Sequence, residues 1–216
     1  MKADMQSKTI DAVVFDLGGV LIDWNPRHLY RKLFEEEAEM EHFLTEVCSP
    51  VWNVGLDAGK PFDVGIAELS RRHPEQAHLI RAWKERWEEM LGGAIEGTVT
   101  ILEELHSAGM ALHALTNWSA ETFPLGRQRF PFIERFRTIL VSGEEKLVKP
   151  DPRIFHLLVE RTGLVPQRTV FIDDSQKNAD AAASLGFHAI RFTDPPSLRA
   201  RLTEIGLLAQ QGGHSR

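Results

Sequence analysis

The sequence predicts an α/β fold, a doubly wound parallel sheet with an inserted helical cap, and three observations lead there. Five short runs rich in β-branched and aromatic residues, 12–15, 110–115, 138–141, 169–172 and 188–192, read as buried strands. From Thr98 onward these runs alternate with helical stretches, the pattern of right-handed crossovers over a parallel sheet. Between the first run and the others, residues 26–91 show helical periodicity and few strand signals, so an insertion interrupts the sheet just after its first strand. The expected division is a core formed by residues 1–24 and 95–216 and a cap formed by 25–94.

The first strand, Ala12–Phe15, ends on Asp16, followed by Gly18-Gly19 and a second apolar patch, Val20–Ile22. Inside the insertion, Pro26 opens a helix with Leu29, Tyr30, Leu33 and Phe34 on one face. Residues 35–47 form an acidic helix with Met40, Phe43, Leu44 and Val47 inward, and Cys48-Ser49-Pro50 breaks it. Trp52-Asn53 and the stretch 56–60 are expected to be a turn able to reach down over Asp16, with Gly55 and Gly59 letting it bend and Lys60 free to meet an anion. Pro61 and Pro74 open two further helices, the last carrying Trp83, Trp87 and Leu91 and ending at Gly92-Gly93, for four helices in all. Trp83 and Trp87, four apart, read as cap core.

In the second part, a helix over 99–108 ends at Gly109, and the strand 110–115 runs into Thr116-Asn117. The helix over 120–130 is weakened by Pro124 and Gly126. After the strand 138–141 come Lys149-Pro150 and a helix over 152–161 ended by Gly163. Strand 169–172 ends in Asp173-Asp174, and an alanine-rich helix over 176–185 stops at Gly186. The strand 188–192 and a helix from Pro195 to about Leu208 complete the fold, and the tail QQGGHSR is expected to be disordered.

The chain has 216 residues, 43% hydrophobic and 26% charged, with a net charge of −6 and no basic block. That composition fits a globular protein and argues against nucleic-acid or membrane partners. One cysteine excludes an internal disulfide and a cysteine metal cluster, and the opening MKADMQSKTI has no apolar export core. A cytoplasmic protein, monomer or homodimer, is expected. The nine histidines show no metal-ligand spacing.

Strand ends of a parallel sheet share one edge, where ligands bind. Here that edge collects Asp16, Thr116-Asn117, Lys149 and Asp173-Asp174. Singly, Thr116-Asn117 and Asp173-Asp174-Ser175 could be helix N-caps. Together the acids would repel unless a cation sat among them, and hard oxygen donors suit Mg²⁺. Lys149, the cation of the set, could neutralise an attacking carboxylate and hold phosphate oxygens.

In this order, FDLGGVL, ALTNWS, LVKPDPRIF and VFIDDSQKNADAAASLG resemble the four motifs of the haloacid dehalogenase (HAD) superfamily, over about residues 12–192. The insertion resembles that superfamily's helical cap, and the wording of the motifs is most similar to its phosphatases of small phosphate esters such as sugar phosphates. The resemblance implies that Asp16 is a nucleophile forming an aspartyl-phosphate. It implies that Thr116, helped by the Asn117 backbone, binds phosphoryl oxygens and that Lys149 stabilises charge there. It also implies that Asp16, the Gly18 carbonyl, Asp174 and Asp173 hold Mg²⁺.

One departure stands out. Phosphatases of the family usually carry a second Asp two residues after the nucleophile, as general acid and base, and this chain has Gly18 there. A cap residue could supply the proton, with Asp23, His28 and Asp57 as candidates, or the chemistry could need no acid. The second case would suit a metal-free 2-haloacid dehalogenase, in which Asp16 displaces halide from carbon. That family pattern has neutral residues in place of the acidic pair, so Asp173-Asp174 favours the phosphatase. A third reading is a non-catalytic binding protein on the same fold.

Overall fold

The computed structural model describes residues 9–210. The stretch 1–8 and the tail beyond Gln210, to which the export-signal and disorder expectations largely refer, lie outside the described residues.

Five parallel strands form the central sheet: β1 Ala12–Phe15, β4 Ala111–Thr116, β5 Thr138–Val141, β6 Thr169–Asp173 and β7 His188–Arg191, in the order β5-β4-β1-β6-β7. The chain builds one side of β1 first, then crosses to the other, so β1 sits at the point where strand order reverses. Alternation along β1 sends Val13 and Phe15 to one apolar cluster and Val14 to another, each covered by helices. On the first face lie α6 Glu96–Ser107 and α11 Pro195–Glu204, through Ile101, Leu105, Leu198 and Leu202. On the second lie α9 Pro152–Thr162 and α10 Gln176–Ser184, through Ile154, Phe155, Leu158 and Ala182.

Local chemistry explains the helix ends. Asp151 caps α9 by accepting from the Arg153 amide, Pro152 occupies the first turn, and Gly163 ends it at φ +69°. Asp194 caps α11 through the Ser197 amide. That helix ends at Glu204, before the expected Leu208, because Gly206 turns left-handed at φ +78°. The weak helix after β4 contracts to α7 Phe123–Arg129, followed by a 3₁₀ turn at Pro131–Arg135, while α8 Ser142–Glu145 directly follows β5.

The insertion holds five helices rather than four: α1 Arg27–Tyr30, α2 Glu37–His42 running into a π-turn at Phe43–Val47, α3 Pro50–Asp57, α4 Phe62–Arg72 and α5 Ala77–Glu85. Of the expected turn, Trp52-Asn53 and Leu56-Asp57 are therefore helix, and 58–60 follow its end. Ser49 caps it by accepting from the Trp52 amide, and Pro50 takes a first-turn position needing no N–H. The expected helix through Leu91 stops earlier, passing through a 3₁₀ turn at Trp87–Met90 into β3 Leu91–Ala94. β3 pairs antiparallel with β2 Ile22–Trp24, making a two-stranded stem for the helices. Gly92-Gly93 thus belongs to a strand, and Gly92 is required there. A Cβ on it would meet the paired side chains of Asp23 and His28, the latter at 2.7 Å. Trp83, buried at the centre of the helices, packs on Trp24, Tyr30 and Trp52. No described helix is long and apolar enough to cross a membrane.

Candidate active site

The strand order brings the expected residues to one rim. Asp16 leaves β1 at the reversal point, its amide donating to Ile172 O at 2.8 Å, and its Oδ1 accepts from the Leu17 amide at 2.7 Å. Asp173 closes the neighbouring strand β6, and Asp174 follows it. Carboxylate oxygens of Asp16, Asp173 and Asp174 lie within 4.8 Å of one another.

Beneath them Lys149 is 3% exposed. Its Nζ donates to Asp173 Oδ2 at 2.7 Å and Leu115 O at 2.8 Å, and stands 2.9 Å from Asp16 Oδ2. All three ammonium hydrogens therefore have acceptors. The direct hold on substrate expected of this lysine would require exchanging one of these partners. Its backbone is fixed by Asn117, whose Oδ1 accepts from Lys149 N at 2.8 Å and whose Nδ2 donates to Lys149 O at 3.0 Å, beside a cis Lys149-Pro150 peptide. The Asn117 side chain thus positions the lysine, a role the sequence does not announce.

Asp173 is fully buried and saturated, with Oδ1 accepting from the Ser175 amide and Asn178 Nδ2 at 2.9 and 3.0 Å. Thr116, at the end of β4, has a buried hydroxyl with no hydrogen-bond partner. Gly19 adopts φ +73°, and a Cβ there would lie 2.8 Å from Asp174 Cγ, so only glycine lets the loop pass that close to the carboxylate.

Three acids against one ammonium leave an excess of negative charge. Burial pushes the Asp16 carboxyl up to about 7; Lys149 opposes this, and Asp173 and Asp174 add to it. Asp174 is shifted upward by burial and by Asp173. Burial pulls Lys149 down, but its pairing with Asp16 and Asp173 prevails and holds it above the ordinary lysine value. Close-set hard oxygen donors with unbalanced charge fit a divalent cation such as Mg²⁺.

The rim opens into a cavity of about 340 Å³ whose lining includes Asp16, Gly18, Gly19 and Asp174 from below. Trp24, Phe62, Trp87 and Trp118 form apolar walls, and Asn53 and Asp57 reach it from α3. Trp87, expected to be cap core, packs on Trp118 at 5.6 Å between ring centroids and also faces this cavity. Of the three candidate proton carriers, Asp57 is on the wall. Asp23 on the stem and His28 on α1 pair with each other at 2.9 Å and are not part of that wall. Lys60 is exposed and paired with Glu68 at 2.7 Å, so it does not meet a ligand at the rim. Gly55 sits within α3 and bends nothing, whereas Gly59, at φ +91°, passes so close to Gly143 that a Cβ would stand 2.8 Å from its carbonyl.

Ser142 and Asn178 escaped the sequence reading. Ser142 Oγ donates to Asp57 O at 2.6 Å and accepts from the Trp118 amide at 2.9 Å. It follows the end of β5, so the same strand-end rule that found the others could have found it.

Comparison with known proteins shows the family to which the chain belongs. The chain is 28% identical over 184 residues to the phosphorylated carbohydrates phosphatase of Thermotoga maritima, covering 84% of each chain. It is 27% identical over 219 residues to the mouse acyl-CoA dehydrogenase family member 10, matching 85% of this chain but spanning only 18% of that relative's length. A HAD-like family hydrolase structure from Porphyromonas gingivalis superposes with a TM-score of 0.72 at 24% identity, covering 94% of this chain and all of that one. The model of the haloacid dehalogenase-like hydrolases matches residues 10–186, and the chain belongs to that family.

Proposed function

We propose that the protein is a Mg²⁺-dependent hydrolase of small phosphate monoesters, acting through an aspartyl-phosphate on Asp16. The observation that carries this reading is the cluster of three carboxylates within 4.8 Å around one fully paired lysine. A 2-haloacid would bring a further carboxylate to this rim. Among the described residues lining the cavity there is no lysine, arginine or histidine to receive it. The dehalogenase reading therefore adds negative charge where it is already in excess.

In the proposed reaction Asp16 attacks phosphorus, held in place by the Leu17 amide and Lys149. Lys149 favours the ionised form of Asp16, opposing but not cancelling the effect of burial. The unpaired Thr116 hydroxyl and backbone amides near Asn117 receive phosphoryl oxygens. Asp16, the Gly18 carbonyl and Asp174 would hold the cation, with Asp173 committed chiefly to Lys149. When bound, Mg²⁺ offsets the acids' charge and orients the phosphoryl group. We also propose residues 1–24 and 95–216 as the catalytic core and 25–94 as a cap that selects the leaving group, and we keep the expected cytoplasmic setting.

The cavity walls name a substrate class. Aromatic faces beside Asn53, Thr122 and Asn178, with no cation, suit a neutral leaving group bearing both hydroxyls and C–H faces, as in a sugar phosphate. The test is a panel of phosphate esters and 2-haloacids, each with Mg²⁺ and with chelator. Phosphate release abolished by chelator is expected. Halide release indifferent to chelator would replace this reading with the dehalogenase, and turnover of neither would leave a binding protein.

A further inference from the structure

The phosphatase reading leaves a proton unaccounted for. An alkoxide leaving group needs one, and Gly18, two residues past Asp16, has no side chain to give. Among the described residues lining the cavity, the titratable side chains are Asp16, Asp57 and Asp174. Asp16 is the proposed nucleophile, and Asp174 belongs to the acidic cluster. Asp57 remains.

Asp57 is the last residue of α3 and is held from three directions. Its carbonyl accepts from Ser142 Oγ at 2.6 Å, which ties the helix end to the end of β5. Its carboxylate Oδ2 accepts from Asn53 Nδ2 at 2.9 Å, one turn back on the same helix. Two residues on, Gly59 makes its close approach to the Gly143 carbonyl, so the chain leaving Asp57 is also pressed onto the core. A side chain on the cap is thereby fixed on the wall of the cavity whose floor is Asp16.

Resting on the phosphatase reading, we infer that Asp57 is the general acid and base of the reaction, replacing from the cap the carboxyl that Gly18 cannot provide. In the first step Asp16 Oδ forms a bond to phosphorus, and the bond from phosphorus to the ester oxygen breaks. The electron pair stays on that oxygen, which takes the proton of the Asp57 carboxyl and leaves as an alcohol. In the second step the Asp57 carboxylate takes a proton from water as the water oxygen bonds to phosphorus. The Asp16–phosphorus bond breaks, the pair returns to Asp16, inorganic phosphate departs and Asp57 is again protonated. Burial pushes the Asp57 carboxyl up to about 7, against the pull of the Ser119 amide and Lys149, so both its forms are populated near neutrality.

The test compares wild type and Asp57→Asn on a hexose 6-phosphate and on p-nitrophenyl phosphate, both with Mg²⁺. The sugar leaving group needs a proton and nitrophenolate does not. The variant is expected to lose about 10²–10⁴-fold in kcat on the sugar ester. With p-nitrophenyl phosphate it should still release a rapid burst of about one equivalent of nitrophenolate and then stall as phospho-enzyme, its base missing. Equal losses on both esters in the first step, or no loss on the sugar ester, would overturn the inference while leaving the phosphatase reading intact. A wild type that hydrolyses neither ester overturns both. If Asp57→Asn does not fold, wild type alone decides. Across a series of alkyl and aryl phosphates its rate should depend weakly on leaving-group pKa, and a steep dependence refutes proton donation.

Discussion

Replacing the proposed nucleophile should stabilise the metal-free protein, and the size of the effect follows from its surroundings. Asp16 is 7% exposed, and its carboxyl is raised from its ordinary 3.8 to about 7 even though Lys149 lies 2.9 Å away. At about 1.36 kcal/mol for each tenfold change in proton affinity, this corresponds to about 4 kcal/mol against the ionised form. Below pH 3.8 the group is protonated in folded and unfolded chains alike and makes no difference. Between 3.8 and about 7 the unfolded chain has released its proton and the folded chain still holds it, so stability falls as pH rises. Above about 7 the whole penalty is in place. Asp16→Asn has no such titration. In chelator, urea unfolding should find it close to wild type at pH 4 and more stable by up to about 4 kcal/mol at pH 8, the gap opening across that interval. Mg²⁺ should narrow the gap at pH 8 by stabilising wild type, whose three acids would then share a countercharge. A variant less stable than wild type at pH 8, or a gap independent of pH, would show that Asp16 is not held in an environment hostile to its charge.

Two further outcomes follow from the same contacts. Lys149→Met removes the ammonium and leaves Asp16 and Asp173 facing each other; urea unfolding at pH 8 should show a loss of about 3–5 kcal/mol, smaller at pH 5 where Asp16 can take up a proton, with phosphatase activity abolished. Gly19→Ala adds a methyl 2.8 Å from Asp174 Cγ in a left-handed conformation, so it should cost about 1–3 kcal/mol and erase the rise in melting temperature on adding Mg²⁺; a variant with wild-type Mg²⁺ response would remove Asp174 from the cation site.

The core was legible because each of its elements carries a local cause. The strands 12–15 and 169–173 are continuous apolar runs ending in acids, and Asp151-Pro152 and Gly163 bracket α9 with their own cap chemistry. The insertion was read less well because its elements depend on partners far away in sequence. Leu91–Ala94 contains two glycines and has little strand propensity, and it is a strand because Ile22–Trp24 lies opposite. Pro50 ends a helical pattern in the sequence, yet after Ser49 it starts a helix. At the site, Asp16, Asp173 and Asp174 announce themselves as charges at strand ends. Asn117 looked like a supplier of backbone amides, and its side chain's grip on Lys149 across 32 residues appears only when the loops are brought together. Nothing in the sequence separates Asp57 from Asp23 and His28, and the tether from Ser142 that fixes it on the cavity wall joins residues 85 apart.

These differences divide the labour between the two parts of the chain. The side chains of Asp16, Lys149 and Asp173 are held by Leu17, Leu115, Ser175, Asn178 and each other, and the Lys149 backbone by Asn117, all outside the helical insertion. The helical insertion contributes none of them. What it supplies is wall, in Asn53, Asp57, Phe62 and Trp87, joined to the core at the Ser142 and Gly143 corner. On the proposed function, substitutions on that wall should reshape the space for a leaving group without disturbing the charges set to hold the phosphoryl end. The exception is Asp57, which stands on that wall and, as the inferred proton carrier, would serve the chemistry as well. Its tether makes the two parts interdependent, since loosening the helix end at Ser142 would move the proton carrier as well as the wall.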